Sequence, residues 1–209
     1  MRQIDKGFQA FRSAVYPDRQ QEFEALRAGQ QPETLMITCS DSRIDPALLT
    51  QTHPGELFVI RNAGNIVPAY GAVDGGEAAT IEYAVRALKV KVIVVCGHSH
   101  CGAMAALQQP EAVAALPAVG KWIEHGRAAL ERASDISEPM NVIQANIQVQ
   151  LDNLRTHPAV AEAEAAGEVD IRGWVYRIGE GDVLELDEAS GTFRSLGDMA
   201  PDSAAAQRA

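Results

Sequence analysis

Three short apolar runs constrain this chain more than anything else in it: Thr34-Leu-Met-Ile-Thr-Cys39, Glu56-Leu-Phe-Val-Ile60 and Lys91-Val-Ile-Val-Val-Cys96. They are rich in β-branched residues and do not alternate apolar with polar, so each reads as a strand buried on both faces, as in a parallel sheet. Between the second and third runs, Asp74-Gly-Gly-Glu77 carries an N-cap carboxylate and a glutamate three residues on that can reach back, a capping box. A helix over 75–89 is predicted to follow, with Ala78, Ile81, Val85 and Leu88 on its apolar face and Tyr83 off that stripe. Strand and helix alternating over 34–107 are the pattern of right-handed parallel crossovers. The fold class expected is therefore α/β, a central, mostly parallel β-sheet flanked by helices.

Outside that core, Phe8, Phe11, Val15, Phe23 and Leu26 recur at helical spacing among charges, which predicts an N-terminal helical arm over residues 1–30. Helices are expected around 118–132 and 139–156, the second introduced by Ser137-Glu-Pro. Strands at 169–178 and 183–186 flank Gly179-Glu-Gly-Asp182, the turn of a C-terminal β-hairpin. The expected layout is the arm, a domain over 31–195 and a flexible tail over 196–209, small and polar in composition.

A chain of 209 residues with 46% apolar content supports one well-buried core. Its formal charge of −10 excludes nucleic acid as a partner, because phosphate binding needs a basic surface, and disfavours anionic membranes. The opening MRQIDKGFQAFRSAV lacks the continuous apolar core of a signal peptide, so a cytoplasmic location is expected. No window approaches the ~20 apolar residues of a membrane span. Three cysteines, an odd number, point to metal or catalysis more than to a disulfide framework.

Two clusters carry chemistry. Cys39 ends the first run and leads into Ser40-Asp41-Ser42-Arg43; His98 follows the third and is joined through Ser99-His100 to Cys101. Ligand sites of open parallel sheets gather beyond the carboxyl ends of the strands. One thiolate from one strand end and a His-x-x-Cys from another make a ligand set that zinc favours, with a fourth tetrahedral position left for water. Asp41 is near enough to complete the metal shell or to accept a hydrogen bond there. Arg43 decides between these, since a guanidinium holds a carboxylate through two parallel bonds.

Taken singly these residues have duller explanations: a buried cysteine as core, a histidine as structure, an Asp-x-Arg as a surface ion pair. All five meeting at two strand ends is what favours a site. Cys96 falls inside its strand and reads as a packed thiol. His53, His125 and His157 have no clustered partners and read as surface residues, and His100 is given no role. The glycines of 71–76 match no phosphate-binding pattern.

Cys39-Ser-Asp-Ser-Arg-Ile44, Arg61-Asn-Ala-Gly-Asn65 and Gly97-His-Ser-His-Cys-Gly102 resemble the signature stretches of β-class carbonic anhydrases, in the right order, and the likeness runs from about residue 30 to 187. The resemblance implies zinc, one per subunit, on Cys39, His98 and Cys101, with Asp41 as a fourth ligand in a resting state and an Asp41/Arg43 dyad. It implies a substrate pocket at a dimer interface that draws on Gln30, Phe58, Ala63, Tyr83 and Gly102, and a homodimer or homotetramer gripped by the N-terminal arm. Gln30 is the amide expected of the plant-like branch. Another branch has an inhibitory bicarbonate site with a tryptophan three residues before the first cysteine, where this chain has Met36. The stretch 55–104 looks especially like cyanobacterial, carboxysome-associated members, which tend to have longer C-terminal extensions for shell contacts, so carboxysome association is an open but unsupported alternative to the cytoplasm.

The activity implied is zinc-dependent reversible hydration of CO2 to bicarbonate and a proton by hydroxide attack, with Phe58, Ala63 and Tyr83 as an apolar wall for the gas and Gln30 binding an oxygen. Two alternatives stand beside it: a CS2 or COS hydrolase on the same fold, and a non-catalytic zinc-binding protein whose shell Asp41 closes permanently.

Overall fold

The computed structural model describes residues 2–73 and 75–198, and the chain divides into two compact units, Met1–Gln31 and Pro32–Ala209. In the first, α1 (Gln3–Ala10) runs on through wider turns at Phe11–Val15 and a tight turn at Pro17–Arg19 into α2 (Gln20–Leu26). Phe11, Tyr16 and Phe23 form a cluster of rings with centroids 5.5–6.2 Å apart. Ile4 and Phe8 stay exposed.

The second unit is built on one six-stranded sheet in the order β2-β1-β3-β4-β5-β6. In chain order its elements are β1 (Thr34–Cys39), α3 (Pro46–Thr50), β2 (Leu57–Asn62), α4 (Gly76–Glu82, continued by wider turns to Leu88), β3 (Val92–His98) and α5 (Gly102–Gln108). Then come α6 (Pro117–Ile123), α7 (Ala128–Arg132), α8 (Pro139–Arg155), α9 (Pro158–Ala165), β4 (Asp170–Arg177), β5 (Asp182–Asp187) and β6 (Thr192–Ser195). The four strands β2-β1-β3-β4 are parallel, and β5 and β6 add antiparallel.

The three apolar runs of the sequence are β1, β2 and β3, and β1 and β3 are buried almost throughout, Leu35, Ile37, Ile93 and Val95 being fully inaccessible. Helix α8 lies across β3 and β4, with Ile147 and Leu151 beneath it in the core. Gly173 of β4 permits this approach. A β-carbon there would lie 2.6 Å from Ile147 Cγ2 and 3.1 Å from Leu151 Cδ1.

Several expectations need correction. The helix expected over 118–132 is broken into α6, a tight turn at Glu124–Gly126, and α7. The break sits where Gly126 passes so close to Leu107 and Asn146 that a β-carbon would meet them at 3.3 and 3.4 Å. The hairpin gains a third strand, β6, too short and too polar at Thr192 and Arg194 to show an apolar pattern. His157 is buried, its Nε2 3.0 Å from the Pro68 carbonyl and its ring edge against Tyr70, and His125 is half-buried against Trp122. Both lie at helix ends, where spacing carries no information on burial. Helix α4 starts after Gly75; Asp74, the expected cap, and 199–209 of the expected tail lie outside the described residues, while Leu196–Asp198 form a tight turn.

Gly173→Ala should lower stability by about 1–3 kcal/mol through overpacking against α8, seen as a lower urea midpoint with an unchanged slope. An unchanged midpoint would mean that α8 is free to retreat.

Candidate active site

Because β1 and β3 are adjacent and parallel, their carboxyl ends share one edge of the sheet, and the chain order reverses around β1. Such a reversal leaves a crevice at the strand ends. Cys39, the last residue of β1, and His98, the last of β3, meet there, and Cys101 joins them from the turn that starts α5. One ligand atom from each lies within 4.8 Å of the other two, and all three side chains are buried.

Several contacts fix these atoms. The His98 ring places Nδ1 2.9 Å from the Ser99 carbonyl, which makes Nδ1 the protonated nitrogen and leaves Nε2 with its lone pair. Nε2 is buried and has no hydrogen-bond partner among the described residues, a costly state unless something takes the lone pair. Ser99 is itself tied to β4, its N–H donating to the Tyr176 carbonyl and its Oγ accepting from Ile178 N. The Gly64 N–H donates to Cys39 Sγ at 3.4 Å.

The two thiols behave as a pair. A hydrogen bond from Cys101 draws Cys39 down to about 4 against the cost of burial, helped by His98 and by the Gly64 and Asp41 amides. Cys101 moves up because Cys39 holds its proton and because it is buried. Burial opposes a charge on His98 most strongly of any one cause, but the Cys39 thiolate, the Ser99 carbonyl and the Asp41 carboxylate together outweigh it and move the imidazole up. A metal ion takes the place of such shared protons. An unpaired imidazole nitrogen converging with two sulfurs fits zinc in donor type and number.

Asp41 lies beside this group, with Oδ2 3.8 Å from His98 Nε2, too far for a hydrogen bond. Its carboxylate is turned to Arg43, which donates from Nε to Oδ1 at 2.9 Å and from Nη2 to Oδ2 at 2.7 Å, with the Arg43 backbone N–H also on Oδ1. This fork holds the Asp41 carboxyl well below the usual carboxylate range. Arg43 also donates to the His100 carbonyl at 3.0 Å. His100, given no role from sequence, adopts a left-handed backbone at φ 58° that turns this carbonyl to the guanidinium.

The carbonic anhydrase family profile matches residues 34–183. A solved structure, that of the beta-carbonic anhydrase CcaA, superposes with a TM-score of 0.87 at 42% identity, over 92% of this chain and 90% of that one. The chain belongs to the β-class carbonic anhydrase family.

Relatives within this family include a carbonic anhydrase of Pseudomonas aeruginosa, 50% identical over 94% of this chain and 92% of that protein. One from Synechococcus elongatus is 43% identical over 91% of this chain and 73% of its own length. A tetrameric beta-carbonic anhydrase of Sordaria macrospora superposes with a TM-score of 0.77 at 31% identity, over 87% of this chain and 94% of that one.

The remaining expected residues of this carbonic anhydrase lie on several different elements. Gly102 follows Cys101 at the start of α5, and Ala63 precedes Gly64. Phe58 of β2 and Tyr83, which is 50% exposed, face each other with ring centroids 6.0 Å apart. Gln30 belongs to the first unit and is exposed. Two residues escaped the sequence reading. Arg61 donates to the carbonyls of Cys39, Asp41 and Ile44 at 2.8–3.0 Å and so holds the whole turn that carries the dyad. Gly64 is at φ +81°, with Ala103 and Met104 3.0 Å from where a β-carbon would be, so only glycine brings its amide to the sulfur. Both lie in the Arg61–Asn65 stretch, whose glycine and lone arginine were the available signal.

Cys96 is fully buried in β3 and pushed up to about 12 by burial, against a hydrogen bond with Thr38. Alkylation of the native protein should spare Cys96 and label it only on unfolding; peptide mass analysis showing native labelling at Cys96 would mean that the strand opens.

Proposed function

We propose that this chain catalyses the zinc-dependent reversible hydration of CO2 to bicarbonate and a proton. The observation that carries the reading is the unpartnered, buried Nε2 of His98 converging with the sulfurs of Cys39 and Cys101 beside a carboxylate that Arg43 has drawn aside. Cys39, His98 and Cys101 would hold one zinc ion per subunit. Zinc supplies Lewis acidity, which makes water a competent nucleophile near neutral pH.

What the chain's own groups contribute follows from their positions. Asp41 is ionised, since Arg43 holds it low, and a carboxylate so held can only accept hydrogen bonds. It would orient the attacking water by accepting a hydrogen bond from it, while Arg43 keeps both oxygens from turning to the ligand cluster. A permanently closed shell would need Asp41 among the ligands; its bidentate engagement with Arg43 supports an open fourth position instead. Phe58 and Tyr83 would form part of an apolar wall that costs a small nonpolar gas little desolvation, and Ala63 and Gly102 would line the pocket next to the ligands. Gln30, from the helical arm, would offer its amide to an oxygen of CO2 or bicarbonate in a homodimer or tetramer, an assembly the tetrameric Sordaria relative supports. Met36, in place of a tryptophan, supports the plant-like branch without the inhibitory bicarbonate site.

Cys39→Ser and His98→Ala should each lose zinc and CO2 hydration together, measured by metal analysis and stopped-flow assay. Asp41→Asn should keep the metal and lower turnover by about 100-fold, the order expected when a reacting group loses its positioning contact. Full rates in that variant would remove Asp41 from the mechanism, and a faster turnover of COS or CS2 than of CO2 by the parent protein would replace the substrate.

A further inference from the structure

The segment Asn62–Pro68 has no helix or strand geometry beyond the end of β2, yet Gly64 to Pro68 are buried. Buried backbone must find partners; Asn62 serves both backbone groups of Ile66 at 2.8 Å, and side chains from distant elements supply others. Trp122 Nε1 of α6 donates to the Ala63 carbonyl at 2.9 Å. Asn146 Nδ2 of α8 donates to the Gly64 carbonyl at 3.1 Å, and Val67 N donates to Gln150 Oε1 at 2.8 Å. The Asn146 and Gln150 amides are themselves joined at 2.8 Å.

One of these bonds differs from the rest in what lies at its far end. The Ala63 carbonyl and the Gly64 N–H are the two poles of one peptide plane, and that N–H donates to Cys39 Sγ. Trp122 is therefore connected to the sulfur by an unbroken series: indole N–H to carbonyl, peptide plane, amide N–H to sulfur. Donation to a peptide oxygen polarises the peptide and strengthens its N–H as a donor, and the two side-chain bonds on either side of Gly64 fix the direction in which that N–H points. We propose that Trp122 is a positioning residue that, through the Ala63–Gly64 peptide, sets how strongly the Cys39 sulfur is hydrogen-bonded, with Asn146 pinning the neighbouring carbonyl. Groups bonded to a ligand rather than to the metal tune the metal in this way.

The inference rests on the zinc reading above. Trp122 is half-buried, so Trp122→Phe keeps most of the packing and removes the donor. A sulfur with a weakened N–H donor gives more charge to its metal. In cobalt-substituted protein the sulfur-to-metal charge-transfer band of Trp122→Phe should move to longer wavelength, and in the zinc enzyme the midpoint of the kcat/KM profile should rise by about half a pH unit, the equivalent of part of one hydrogen bond. A merely structural tryptophan would lower the melting temperature and leave both readouts at their parental values; that outcome overturns the proposal.

Should Trp122→Phe fail to fold, the parent protein answers instead. Loaded with spin-half cadmium, it should show scalar coupling from the Gly64 amide proton to the metal through Cys39 Sγ, and absence of that coupling overturns the proposal. A parent protein that neither takes up these metals nor hydrates CO2 sinks the zinc reading and the inference with it. A normal parent with an indistinguishable variant sinks the inference alone.

Discussion

Everything in the second unit follows from the pairing of β1 with β3. Both are too apolar to expose either face, so they can exist only side by side under helices, and a parallel pairing puts their last residues at one edge. Had β3 been inserted antiparallel, Cys39 and His98 would stand at opposite edges of the sheet, a strand length apart. The sheet thus does chemical work before any side chain is considered, because it decides which strand ends can share a ligand.

Around that edge the chain uses short-range devices for what must respond and long-range ones for what must not. Asp41 and Arg43 are two residues apart and exchange a fork of hydrogen bonds within a single turn, so their arrangement depends on little else. The ligand atoms, in contrast, are held by elements far away in sequence: Ser99 by β4, and Gly64 by α6 and α8. A carboxylate held by its own turn stands beside sulfurs and an imidazole held by the rest of the fold.

The sequence was most legible where side-chain type and strand period agreed. The apolar runs predicted β1 to β3, and their ends located Cys39, His98 and Cys101, because a doubly buried strand has one reading and a strand end one address. It was least legible where partners come from elsewhere in the chain. His157 is buried by Pro68 and Tyr70, and Gly126 breaks a helix for the sake of Leu107 and Asn146; neither neighbour is visible locally. Arg61 was read as part of a signature, while its three carbonyl partners could be seen only after the turn at 39–44 was folded back over it. Trp122 carried no signal, since an indole on a helix reads first as core.

The buried, irregular segment at Asn62–Pro68 also bears on the order in which the molecule is made. Its amide partners on α8 lie 82 to 86 residues further along the chain. Until that helix docks, the Gly64 carbonyl and both backbone groups of Val67 lack the partners they have in the fold, and closing so long a loop costs entropy before any of these bonds is formed. During synthesis, β1, β2 and β3 can emerge and pair while the ring of contacts around Cys39 is still unfinished. A nascent chain can thus bring Cys39, His98 and Cys101 together before α6 and α8 supply the contacts that fix Gly64 beside them.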